Sequence, residues 1–153
     1  MSTKTLEQTR AEFTYKCVEQ IANDDKDTIQ KKKFKGLVKK TPTYILTNGL
    51  GNTLAFLFSK GNNEHLALAF IIGKYLFEIN EYTQKIFNFS SDIFNIKLNE
   101  FVKDENFIGQ LRNTLFQNLV FTDTEKYILA TEETLRLLNW LKRFAEAMIE
   151  GEE

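Results

Sequence analysis

The chain has 153 residues, 42% of them apolar and 27% charged, with a formal net charge of −1. That length can bury a real core as one domain spanning 1–153, and the near-neutral charge argues against a protein that coats nucleic acid through a global positive field. One proline and seven glycines favour long helices over a many-stranded sandwich, and the single Cys17 excludes an internal disulfide or a thiolate zinc cluster.

The longest apolar run, Leu66 to Ile72, is far shorter than the ~20 residues that span a bilayer, and no N-terminal apolar leader is present. A soluble, cytoplasmic chain without a membrane partner is expected, so the Asn88-Phe89-Ser90 sequon is disregarded. Charge is unevenly placed: residues 1–60 carry 11 basic and 6 acidic side chains, and residues 61–153 carry 9 and 15. That asymmetry suits head-to-tail contact between copies, and equally suits two solvated halves.

In chain order, the first helix is predicted from about Lys4 to Asn23, capped by Ser2 or Thr3. Leu6, Phe13, Cys17 and Ile21 form its apolar stripe, and Arg10 falls in the middle of it. Arg10 reads either as a snorkelling side chain at an interhelix seam or a guanidinium paired with a carboxylate from elsewhere, or as one held for a phosphate or a partner subunit. Residues 23–27 read as a surface loop.

Six lysines then crowd into ten residues without an acid: Lys31, Lys32, Lys33, Lys35, Lys39 and Lys40. On a helix Phe34, Leu37 and Val38 share one face and Lys32, Lys35 and Lys39 another. This basic ridge is either a solvated face or the contact for an anionic partner. The stretch from Thr41 to Lys60 holds the only proline and an Asn48-Gly49 step. Its flanks do not alternate, so two helices meeting at Gly49 are preferred to a hairpin, with Thr41 as cap and Pro42 at the first helical position.

The next helix begins near Glu64 under an Asn62 or Asn63 cap and is apolar all round, the mark of burial on most sides. Its His65 lacks a second histidine or a paired carboxylate at ligand spacing, which argues against a metal or base role. Helix resumes over 81–87 and breaks at 88–91. Asp92 to Val102 shows helical spacing, and Asp104 or Glu105 opens another helix with Phe107, Ile108, Leu111 and Leu115 inward. Thr122 and Glu125 form a capping box for a long last helix, from about Asp123 to Met148. Its predicted stripe is Tyr127, Ala130, Leu137, Leu138, Leu141, Ala145 and Met148. Arg136 and Arg143 share the opposite face with Trp140 beside them. They suit an RNA backbone or base, or ion pairs with Glu132 and Glu146.

The expected fold is therefore all-α, a single-domain bundle of about six to seven helices with a long C-terminal helix. Nothing asks for catalysis or a cofactor. Gly49-Leu50-Gly51 lacks the third glycine of a dinucleotide fingerprint, phosphate-loop and zinc-protease motifs are missing, and the adjacent pairs Glu132-Glu133 and Asp104-Glu105 read as surface.

Three segments carry a family resemblance: LEQTRA at Leu6 to Ala11, TPTYILTNGLGNTLAFLFSKG from Thr41 to Gly61, and TEETLRLLNWLKRFA from Thr131 to Ala145. With them the chain resembles the small, all-helical subunit of the Cmr complex, the type III-B CRISPR RNA-guided effector. The middle, Glu64 to Phe121, matches only in helical character and length. Thr41 departs from the apolar residue the family commonly has before the proline.

The resemblance implies a subunit that does not cut RNA, stacks with other Cmr subunits including copies of itself, and helps form the groove for guide RNA and target RNA. Its contacts would be sequence-independent, through cations to phosphates. Carried onto this chain, the implied RNA-binding residues are Arg10, Lys35, Lys39, Lys40, Arg136, Lys142 and Arg143. A protein-only assembly scaffold and a stand-alone helical nucleic-acid-binding regulator are the alternatives.

Overall fold

The computed structural model describes residues 4–87 and 92–151, so the expected caps Ser2 and Thr3, the break at 88–91 and the sequon lie outside the described residues. Eight α-helices and no strand occur among the described residues: α1 Leu6–Ala22, α2 Lys31–Asn48, α3 Leu50–Lys60, α4 Asn63–Lys74, α5 Glu81–Ile86, α6 Leu98–Phe101, α7 Glu105–Val120 and α8 Thr124–Met148. A π-helical turn, Tyr75–Ile79, continues α4, and a single 3-10 turn, Ile93–Asn95, precedes α6. The long C-terminal helix packs along α1 on one flank and α2 on the other, with α4 central to the rest.

Local chemistry sets the helix ends. Thr5 caps α1 in a reciprocal box, its hydroxyl accepting from Gln8 N at 3.1 Å while Gln8 Oε1 accepts from Thr5 N at 2.9 Å. Asp104 caps α7 by accepting from Phe107 N, and Asp123 rather than Thr122 caps α8 by accepting from Lys126 N at 2.9 Å. The carboxylate places negative charge at the positive end of the helix dipole, which favours Asp123 over its neighbour.

Between α2 and α3 the chain turns at Gly49, with φ 88° and ψ 160°, a region that only glycine enters without strain. Gly49 N still donates to Ile45 O at 2.7 Å and Gly49 O accepts from Thr53 N at 3.1 Å, so the elbow closes one helix and opens the next. The expected start at Thr41-Pro42 is corrected: α2 runs unbroken through Pro42. Proline removes its own N–H from the ladder and crowds the carbonyl of Val38, and the buried stripe Phe34, Val38, Thr41 and Ile45, continuous across it, offsets that cost. Thr41 donates its hydroxyl to Leu37 O at 2.6 Å instead of capping.

All of Leu66 to Gly73 is buried, so α4 is enclosed by the other helices as its all-round apolar pattern predicts. Gly73 lies against α7, where an added Cβ would come 2.9 Å from Leu111 Cδ1. Phe34, Tyr75, Phe94 and Phe101 are fully buried, each worth about 1.5–3 kcal/mol of transfer free energy. The expected helix over 92–102 is also corrected: only the 3-10 turn and the four-residue α6 form there. Ile93, Phe94, Leu98 and Phe101 are nevertheless all buried, so core burial followed the apolar spacing although the backbone did not.

Candidate nucleic-acid interface

The π-turn creates the most connected polar cluster among the described residues. Asn80 N donates to Tyr75 O at 2.8 Å, the five-residue return that defines a π-helix, and brings both side chains to one point. There Glu133 Oε1 accepts from Arg10 Nη2 at 2.7 Å, from the Tyr75 hydroxyl at 2.8 Å and from Asn80 Nδ2 at 2.8 Å. The Tyr75 oxygen accepts from Arg10 Nε at 2.8 Å and Asn80 Nδ2 at 3.0 Å. Asn80 Oδ1 takes Tyr82 N and Thr83 N, capping α5. All four side chains are buried, so the ion pair ties α1, the π-turn and α8 in a medium where an unpaired charge would be costly.

The environment moves their protonation as expected. Burial pushes the Tyr75 phenol up to about 12, and the bond to Glu133 adds to the rise. For Arg10 burial opposes the charge, but the bonds to Glu133 and Tyr75 outweigh it and hold the guanidinium above its ordinary value.

Arg10 therefore leaves the set of cations offered to phosphate: only 7% of its surface is exposed, and the guanidinium is committed to Glu133 and Tyr75. The carboxylate-paired reading of its stripe position is the one realised. Glu133, read as surface, is buried, whereas its neighbour Glu132 is exposed. The signal for Glu133 was present: it lies three residues after Ala130 and four before Leu137, on the edge of the buried stripe. Tyr75 and Asn80 had no such signal, because the π-turn that joins them leaves no trace in apolar spacing.

The lysine ridge divides in two. Lys31 donates to Asp24 O at 3.2 Å and lies 3.5 Å from Asp27 Oδ1, and Lys35 donates to Ile149 O at 2.9 Å and Gly151 O at 2.8 Å. Lys33, Lys39 and Lys40 are exposed and have no hydrogen-bond or ion-pair partner among the described residues. The Lys35 contacts join the N-terminal half of α2 to the segment after α8, while Gly51 N donates to the Tyr127 hydroxyl at 2.8 Å near the other ends. Those two ties run α2 and α8 antiparallel.

On α8, Phe144 meets Tyr15 of α1 edge-on at 5.6 Å, and Trp140 stacks on Phe144 at 5.7 Å. Trp140 is thus half-buried in the α1–α8 seam. Lys142, two residues and about 200° further round α8, is half-buried. Arg136 and Arg143 stand on the outer face. Arg136 is 61% exposed at its side chain and lies 3.6 Å from Glu133 Oε2, while Arg143 is exposed without an ion pair among the described residues. Neither Glu132 nor Glu146 makes the ion pair that its spacing offered. Lys39, Lys40, Lys142 and Arg143 thus lie on two neighbouring, antiparallel helices, with Arg136 tethered at their margin.

The other chemistry-bearing residues sit elsewhere. Cys17 borders a cleft of about 570 Å³ beside α1, with Phe13, Phe70, Phe94, Lys16 and Lys74, and burial pushes its thiol up to about 12. His65 lies 3.5 Å from Glu64 Oε2 and edge-on to Phe56. No cluster of three or more His, Cys, Asp or Glu side chains with metal-binding placement occurs among the described residues, and no described helix is long and apolar enough to cross a membrane.

One comparison with known proteins bears on this surface. The family model described as CRISPR-associated protein (Cas_Cmr5) matches residues 6–148, from the first residue of α1 to the last of α8. That span takes in the Gly49 elbow, the lysine ridge and both helices of the cationic surface. The chain belongs to the Cas_Cmr5 family of CRISPR-associated proteins, the small subunits of the Cmr effector.

Proposed function

We propose that the chain is a non-catalytic, single-domain, cytoplasmic subunit of a type III-B CRISPR ribonucleoprotein that lends phosphate contacts to the groove for guide and target RNA. Other Cmr subunits, including further copies of this chain, are its protein partners. The observation that carries the reading is the exposed, unpaired state of Lys39 and Lys40 on α2, the helix that packs along α8 with its Lys142 and Arg143. Lysines left free of carboxylates on a rigid helix meet phosphates as point charges without selecting bases. Membership of a CRISPR-associated family supports this reading.

The test is Lys39→Glu with Lys40→Glu in the reconstituted complex, with target-RNA binding measured across a salt series. Weaker binding at every guide sequence, with the salt slope shallower by about 0.7–0.9 per lost contact, is the expected result. Unchanged affinity and slope would remove the ridge from the RNA face.

A protein-only scaffold is favoured by a different observation. Leu46, Val120, Phe121 and Ile128 are 50–83% exposed, near the elbow and the α7–α8 turn. Apolar side chains so displayed suit another subunit better than RNA. RNA crosslinking to the assembled complex separates the readings, since a scaffold alone leaves this chain uncrosslinked.

A further inference from the structure

From Thr28 to Asn63 the chain carries seven lysines and no acid, so α2 and α3 have no carboxylate of their own. Between these two helices lies an aromatic pair. Tyr44 of α2 stacks on Phe56 of α3 with ring centroids 4.9 Å apart and planes 26° from parallel. Phe56 is held from a third helix, His65 of α4 meeting its ring edge-on at 5.7 Å, and Lys60 Nζ lies 5.9 Å from the ring centre. Phe56 packs against the core, and Tyr44 lies on it, half-buried, with a hydroxyl that makes no hydrogen bond among the described residues.

Lysines flank the pair on both helices. At 100° per residue Lys33 and Lys40 fall within about 40° of Tyr44 round α2, whereas Lys35 and Lys39 fall about 140–180° away. Lys60 stands one turn after Phe56 on α3, as Lys40 stands one turn before Tyr44 on α2, so along each helix the lysine is the member farther from the Gly49 elbow. Lys33, Lys40 and Lys60 are exposed, and none makes a hydrogen bond or an ion pair among the described residues.

We propose that this flank is a stacking site for an unpaired RNA base, with Tyr44 as the platform and Lys40 and Lys60 holding the phosphates beside it. The site deepens the proposed RNA face and rests on it. The lysines alone would suit any anion. The ring beside them selects an anion with flat, stackable groups, which a single strand of RNA supplies at every residue. Every base has a π-face, so the contact adds affinity without reading sequence. Phe56 backs the tyrosine ring in advance, so little side-chain freedom is lost when a base arrives.

The test uses the full chain in the reconstituted complex, with target RNA carrying 5-iodouracil in place of uracil. Irradiation should join Tyr44 to the RNA, Tyr44→Phe should keep the crosslink at that position, and Tyr44→Leu should abolish it. Tyr44→Leu is expected to weaken binding about fivefold or more with the salt slope unchanged, because the lost contact carries no charge. Tyr44→Phe should bind as the wild type does. Lys60→Gln, at an exposed position that leaves the packing intact, should make the slope shallower by about 0.7.

If Lys39→Glu with Lys40→Glu weakens RNA binding but Tyr44→Leu changes neither affinity nor crosslinking, the stacking site is overturned and the RNA face stands. Equal losses in Tyr44→Phe and Tyr44→Leu would assign the effect to the hydroxyl and overturn stacking as well. If the lysine reversals and Tyr44→Leu all leave binding unchanged, the RNA face itself falls, and the stacking site with it.

Discussion

Arg10 Nη2 and Glu133 Oε1 lie 2.7 Å apart across 123 residues of sequence, one charge from the apolar stripe of α1 and one from the edge of that of α8. Without Glu133 the Arg10 guanidinium would be an uncompensated buried cation, whereas Glu133 would still have Arg136 3.6 Å from its other oxygen. Glu133→Ala strands the guanidinium and is expected to cost about 3–5 kcal/mol of stability. Arg10→Met combined with Glu133→Leu should be far less destabilising than the two single changes summed, because the double change removes both desolvation penalties. Urea denaturation of the four proteins in a double-mutant cycle measures the coupling. Additive losses would show that the pair is not an energetic unit.

Tyr75 gives the same cluster a pH signature. Its phenol is held at about 12 against 10.0 for a free tyrosine, so the folded state grips the proton more tightly than the unfolded chain does. The stabilisation is fully present below about pH 10 and is lost as pH rises through about 12. Wild-type unfolding free energy should therefore fall more steeply over that window than that of Tyr75→Phe, which has no proton to lose. Denaturant titrations at pH 9, 10 and 11 compare the slopes, and parallel curves would refute the shift.

The Gly49 elbow is a conformational requirement. At φ 88° and ψ 160° any side chain is strained, and a Cβ would also come 3.4 Å from the Tyr127 hydroxyl. Gly49→Val is expected to cost about 2–3 kcal/mol or more, read as a lower melting temperature. Tyr127→Phe should cost about 1 kcal/mol by removing the acceptor for Gly51 N in the first turn of α3. A Gly49→Val protein with wild-type melting would mean that the joint tolerates other backbone angles.

Cys17 should be chemically quiet. With its thiol raised to about 12 by burial, half-buried Cys17 carries less thiolate at pH 8 than an unfolded-chain cysteine, and the thiolate is the nucleophile. Reaction with a disulfide reagent is expected to be at least about tenfold slower in the native protein than after denaturation. Rapid native labelling would indicate that the α1 cleft admits reagent and solvent to the sulfur.

Family membership and helical architecture were legible in the residues, because both rest on local patterns. The Gly49 joint, the all-round apolar α4 and the buried face of α8 follow from spacing and backbone chemistry alone. Pro42 misled for a physical reason: its local preference for a helix start was smaller than the continuous burial of Phe34, Val38, Thr41 and Ile45 across it. The 92–102 segment misled in the opposite sense, since apolar spacing reports which side chains are buried and not the hydrogen-bond pattern that buries them.

The candidate surface was only half legible. Sequence marked Arg10, the lysine ridge and the arginines of α8 as charges needing partners, and it placed the ridge on one helix. Which charges face inward depends on where distant helices dock, and that was decided by tertiary structure. The π-turn brings Tyr75 and Asn80 to Glu133, α8 brings Glu133 to Arg10, and the chain beyond α8 returns to Lys35. Periodicity encodes the neighbours a residue has along its own helix, and an ion pair spanning 123 residues is set by packing between helices.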